Sequence, residues 1–98
     1  MEEALRAIAN RRRRTMLELV WDRERTATEI AALSALSKPA TSQHLRVLRE
    51  AGLVRVRAAG NQRFYRCDAE RLAELRGALE AFWGERLQRM RDELEPGG

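Results

Sequence analysis

Apolar positions recur at intervals of three and four through most of the chain and switch to every second position only between Leu53 and Cys67. The first pattern is that of helices with one buried face, the second that of short strands. Leu5 and Ile8 predict a helix over residues 2–9. Asn10 is placed to cap a second helix carrying Met16, Leu17, Leu19 and Val20, with Trp21 as a hydrophobic plug at its end. The segment TATE, Thr26 to Glu29, reads as a capping box in which hydroxyl and carboxylate satisfy orphan amides reciprocally, and it opens a short helix with Ile30 and Leu33 inward. Ser37 caps the next helix, Pro39 is tolerated in its first turn and Gly52 ends it. Two helices joined by about four residues predict a helix-turn-helix over residues 26–52.

The second of those helices has two unlike faces. At about 100° per residue, Thr41, Leu45 and Leu48 share one narrow arc, while Pro39, Gln43, Arg46 and Glu50 fall opposite, flanked by Ser42 and Val47. The arc packs on a core. The opposite side, near the helix start, is built from short polar groups that allow close approach, which suits a helix whose N-terminal half enters a major groove. The candidate DNA contacts on this helix are Ser37, Lys38, Ala40, Ser42, Gln43, His44 and Arg46.

Residues 53–67, LVRVRAAGNQRFYRC, predict two short strands around a turn at Ala59 to Asn61, with Val54, Val56, Tyr65 and Cys67 inward and Arg55, Arg57 and Arg66 outward. A hairpin directly after a recognition-type helix is a wing, and Arg57, Asn61, Gln62 and Arg63 near its tip are candidates for the DNA backbone or an adjacent minor groove. Asp68 then caps a long helix over residues 69–94 with Leu72, Leu75, Leu79, Phe82, Trp83, Leu87, Met90 and Leu94 at spacings of three, four and seven. A small winged domain cannot cover so long a stripe alone. Leu5, Ile8, Leu72, Leu75, Leu79, Phe82, Trp83 and Leu87 are therefore the expected homodimer interface, which sets two recognition helices one DNA turn, ~34 Å, apart.

Charge sharpens this picture. Residues 37–67 hold seven basic side chains against Glu50 alone, a net +6, whereas residues 1–36 carry +1 and residues 68–98 carry −3. A basic middle between near-neutral and acidic segments suits a polyanion. At 98 residues the chain makes one domain, residues 1–98, mainly α with a small β-hairpin. No apolar run approaches the ~20 residues of a membrane span, and the N-terminus lacks a signal-peptide core, so a cytoplasmic location is expected. One cysteine, Cys67, excludes an internal disulfide. No phosphate-cradling glycine loop, catalytic triad or metal-ligand cluster is present in the sequence, so neither an enzyme site nor a cofactor is expected.

AIANRRRRTMLELV, followed by LSKPATSQHLRVLREAGLVRVRAAGNQRFYRCD, resembles the ArsR family of winged-helix bacterial repressors over roughly residues 4–90. The resemblance implies a homodimer that binds operator DNA and represses transcription, with Ser42 and Gln43 contacting DNA and the wing supporting them. The chain departs from the family's metal sensors. TATEIAAL lacks their cysteine pair and the last helix has no histidine, which implies a member that works without metal. Arg11 and Arg12 stand where a Pro-Thr pair is common in the family. The run Arg11 to Arg14 is open to phosphate, with half of it expected to pair with nearby acids across the dimer or within the domain. His44 is expected in a structural or phosphate role rather than as a pH sensor, and Cys67 as a core residue rather than a redox switch. Two alternatives remain open at this point: a protein-interaction module on the same fold, and a repressor responding to a small-molecule effector in a pocket at the dimer interface.

Overall fold

The computed structural model describes residues 2–94, with the side chains of Leu79, Phe82, Trp83, Glu85, Arg86 and Leu87 outside the described set. Among the described residues the chain runs α1 (Glu2–Ile8), α2 (Arg11–Leu19), β1 (Arg25–Thr26), α3 (Ala27–Ser34), α4 (Lys38–Glu50), β2 (Val54–Ala59), β3 (Gln62–Cys67) and α5 (Ala69–Leu94). Each expected cap is in place. Asn10 accepts from the Arg13 amide at 3.2 Å, Thr26 from Glu29 at 3.2 Å, Ser37 from Ala40 at 3.2 Å and Asp68 from Arg71 at 3.1 Å. The second half of the Thr26 box differs from expectation: the Thr26 hydroxyl itself donates to Glu29 Oε1 at 3.2 Å, because the Thr26 backbone is paired in the sheet opposite Phe64.

That pairing adds a strand to the expected two-stranded wing. The antiparallel sheet has the order β1-β3-β2, with Arg25 opposite Tyr65 in one ladder and Val54 opposite Cys67 through Ala59 opposite Gln62 in the other. The turn is tighter than Ala59 to Asn61. Only Gly60 and Asn61 lie between the paired ends, and Gly60 at φ 63° supplies the positive φ that a II′ hairpin turn asks of its first central residue.

Both α3 and α4 end in Schellman motifs. After α4 the Gly52 amide donates to Arg49 O at 2.9 Å and the Leu53 amide to Leu48 O at 2.9 Å. After α3 the Ala35 amide donates to Ala32 O at 3.3 Å and the Leu36 amide to Ala31 O at 3.2 Å. Gly52 takes the left-handed position at φ 77°, and alanine takes it at residue 35 with φ 54°.

The core gathers Met16, Leu17 and Val20 of the α2 region, Ile30, Leu45 and Leu48 of the helix-turn-helix, Leu53, Val54 and Tyr65 around the wing, and Leu75 of α5. In α1 it is Ala4 and Ala7 that face α2 and α4 and are buried, which leaves Leu5 exposed and Ile8 half-buried on the single chain. Two expectations are corrected. Leu33 is 55% exposed. The inward face of α3 runs Ala27, Ile30, Ala31, Ser34, at i, i+3, i+4, i+7, and Leu33 lies off it. Trp21 is 59% exposed and, rather than plugging the core, lies just beyond the end of α2 at Leu19 on the wall of an open apolar recess with Ile8 and Leu72.

One buried group points to a test. Thr41 is fully buried and its Oγ1 has no hydrogen-bond partner. An unsatisfied hydroxyl costs about 1–3 kcal/mol, and valine keeps the branched shape. Thr41→Val is expected to leave stability unchanged or raise it by about 1 kcal/mol, read from the urea midpoint. A clear loss would show that the hydroxyl has a bonding role in solution.

Candidate nucleic-acid interface

The recognition helix α4 carries the arrangement that the wheel predicts. Thr41, Leu45 and Leu48 are buried, while Ser37, Lys38, Pro39, Ser42, Gln43 and Arg46 are exposed and Ala40 is half-buried. Pro39, Ser42, Gln43, Arg46, Val47 and Glu50 line a shallow recess along the outer face. The wing leans on one flank, where Arg63 and Tyr65 share a recess with Ser42, Arg46 and Arg49, and where Asn61 and Gln62 come beside Ser42. On the other flank lies the start of α2, whose Arg13 Nη1 approaches His44 Nδ1 at 3.5 Å.

Not every basic side chain there has its charge free. Arg57 donates through Nε and Nη2 to the Glu24 carboxylate at 3.1 and 2.7 Å, and its guanidinium lies 4.7 Å from the Phe64 ring centroid. Arg55 bonds Asp68 at 3.0 Å and comes within 3.8 Å of Glu70. Arg46 pairs with Glu50 at 3.0 Å, one turn along α4. Among the described residues, Lys38, Arg49, Arg63 and Arg66 have no carboxylate at such distances. The positive field expected of residues 37–67 is thus partly neutralised at the wing's root and along one strand.

Burial first, and the Arg13 and Arg12 charges after it, push the His44 imidazole below its ordinary pKa. It is therefore uncharged at neutral pH and half-buried against α2. Hydrogen bonds from Arg57 hold the Glu24 carboxyl below the usual carboxylate range, and those from Arg55 and the Arg71 amide do the same for Asp68. Both carboxylates contribute stability that is present above the ordinary carboxylate pKa and lost as pH falls through the lowered value. Half-buried Cys67 has its thiol pushed up, by burial and then by Asp68, and stays protonated.

The arginine run differs from expectation. Instead of pairing with acids of its own chain among the described residues, Arg13 donates to Ala7 O at 2.7 Å and Arg6 O at 3.1 Å, and Arg14 to Ile8 O at 2.7 Å, so both close the last turn of α1. Glu24 is a residue that sequence reasoning missed. It sits in an irregular stretch before β1, 33 residues from Arg57, and nothing in local spacing marks the pair. Glu24→Gln is expected to release the Arg57 charge, raising affinity for random-sequence DNA a few-fold at low salt. The dependence of log affinity on log salt should steepen by up to about one unit per protomer. Anisotropy titrations over a salt series, with Arg57→Gln as the control that should not steepen, check this.

Of the expected dimer residues, Leu75 is buried in the chain's own core, Leu72 and Ile8 are half-buried and Leu5 is exposed. Those at Leu79, Phe82, Trp83 and Leu87 fall on side chains outside the described residues. No three His, Cys, Asp or Glu side chains cluster as a metal site requires among the described residues, nor is any helix among them long and apolar enough to cross a membrane.

A helix-turn-helix followed by a wing, with a polar recognition face left open between them, defines a winged helix-turn-helix DNA-binding regulator. A model described as "Bacterial regulatory protein, arsR family" matches residues 10–56. The chain is 40% identical over 82 residues to the HTH-type transcriptional regulator Rv2034 of Mycobacterium tuberculosis, a match covering 84% of this chain and 77% of that one. A crystal structure named "Possible transcriptional regulator for arsenical resistance" superposes with a TM-score of 0.81 at 41% identity, covering 93% of this chain and 95% of that one. The homodimeric winged helix-turn-helix DNA-binding domain of Mb0332 from Mycobacterium bovis superposes with a TM-score of 0.70 at 30% identity, covering 88% of this chain and 80% of that one. The chain belongs to the ArsR family of bacterial regulatory proteins.

Proposed function

We propose that this regulator is a transcriptional repressor that binds a palindromic operator as a homodimer and needs no metal to do so. The observation that carries the reading is the exposed N-terminal face of α4, where Ser42 and Gln43 stand clear between the wing and α2. Ser37, Lys38, Ala40, Arg46 and uncharged His44 surround them, with Asn61, Gln62 and Arg63 supporting from the wing. Assembly is supported by the homodimeric Mycobacterium bovis neighbour and by an apolar recess of about 570 Å³ where Ile8, Trp21, Leu72 and Ala73 meet beside α5. Metal independence is supported by the ligand supply: the sequence holds one cysteine, Cys67, and one histidine, His44, whose ring faces the cationic Arg13. Cytoplasmic location follows from a chromosomal target.

The test is titration of the purified protein against its own upstream DNA and against random sequence, with chelator and with zinc, alongside a reporter under that upstream region. Tight, salt-dependent binding that chelator and zinc leave unchanged, with reporter output falling when the protein is supplied, is expected. Rising output would reverse the direction of control. Absence of binding to any DNA would turn the reading to a protein-interaction module.

A further inference from the structure

Recognition of a duplex by a helix in the major groove has two phosphate walls to satisfy, one on each strand. The wing accounts for one flank of α4. On the helix wheel Ser42 and Arg49 lie on the wing side and His44 on the other, with the buried arc of Thr41, Leu45 and Leu48 between them. Helix α2 occupies the His44 flank, fixed there by the Arg13–His44 contact and by Met16 and Leu17 in the core.

The four arginines opening α2 divide into two pairs with different work. Arg13 and Arg14 turn back onto the carbonyls of α1. Arg11 and Arg12 are exposed, and among the described residues neither meets a carboxylate at ion-pair distance. With Thr15 they line a recess of about 320 Å³ whose other wall is Leu33, Ser34 and Leu36. Leu36 immediately precedes the cap of α4, so this recess opens beside the end of the recognition helix that approaches the bases. Meanwhile Arg46, Arg55 and Arg57, within the basic middle of the sequence, have their charge answered by Glu50, Asp68 and Glu24.

We infer that Arg11 and Arg12 form a second backbone clamp, binding phosphates of the DNA strand opposite the one held by the wing. The inference rests on the DNA-binding reading above and adds a partner surface outside the recognition helix and wing. Guanidinium groups suit the role, since each offers several donors to phosphate oxygens and never loses its charge. Sequence preference is not part of it, because phosphate contacts position the protein without reading bases.

The experiment compares wild type, the double variant Arg11→Gln/Arg12→Gln and the charge-keeping Arg11→Lys/Arg12→Lys, on operator and random DNA over a salt series. Gln43→Ala serves as an internal reference for base reading, and melting temperatures check the fold. The Gln pair is expected to lose affinity for both DNAs by similar factors. Its slope of log affinity against log salt should flatten by about 0.9 for each phosphate no longer neutralised, up to about 3.6 for four phosphates across a dimer. The Lys pair should retain most of the slope. Should the Gln pair fold poorly, ethylation interference on wild-type protein serves instead, and protected phosphates on both strands flanking each half-site are expected. Unchanged slope in the Gln pair, or protection on the wing-side strand alone, overturns the inference while leaving a Gln43-sensitive operator complex intact. Failure of the wild type to bind DNA overturns the DNA-binding reading itself, and this inference with it.

Discussion

Replacing Ala73 by aspartate is expected to leave the monomer folded and to lower operator affinity by a factor of about 100 or more, the range that loss of a second linked binding event produces. Ala73 is exposed on the chain, on the wall of the apolar recess that also holds Ile8, Trp21 and Leu72. A carboxylate there has free access to water in a monomer and is desolvated in the proposed dimer at a cost, since Arg76, the cation lining the same recess, is already paired with Glu80 at 3.1 Å. The choice of position matters. Leu75 is nearby, yet it belongs to the monomer's own core, and its replacement would confuse dissociation with unfolding. Sedimentation should show a dimer for the wild type and a monomer for the variant, with near-identical circular dichroism. A wild type that sediments as a monomer at micromolar concentration would rule out the two-fold model.

Gln43→Ala is the second large effect. Gln43 is exposed in the first turns of α4 with its amide clear of intramolecular bonds among the described residues. If that amide bonds a base edge, its loss costs about 1–3 kcal/mol on the operator and little on random DNA, with the salt slope unchanged. This signature is the reverse of that expected for Arg11 and Arg12, so the same titrations separate base reading from backbone holding. Equal losses on both DNAs would remove Gln43 from base reading.

How much of this is legible in the sequence depends on how local each signal is. Caps at Asn10, Thr26, Ser37 and Asp68 act over three residues, and all four are readable because side chain and amide lie in one window. The two faces of α4 and the alternation of β2 and β3 are readable for the same reason. Strand β1 is not: two residues carry no alternation, and Thr26 already has a sufficient role as a cap. Leu33 misleads because a helix of eight residues has few positions from which to choose its buried face, and the face is decided by the small residues Ala27 and Ala31. Among the site residues, the exposed groups of α4 and the wing can be named from periodicity. Which arginines are neutralised cannot, because Glu24 and Arg57 meet only through the sheet that brings β1 beside β3.

The turns before and after α4 use the same motif under unequal strain. At Gly52 the left-handed backbone is at ease. At Ala35 the methyl group crowds the following carbonyl, a strain of about 1–2 kcal/mol that the residue does not choose for itself at φ 54°. What keeps it there is the pull of its surroundings: the Leu36 amide drawn to Ala31 O at 3.2 Å, and Leu45 and Leu48 seated in the core. The turn that aims the recognition helix therefore carries a local conformational cost, which the hydrogen-bonded motif and the core packed on either side of it offset.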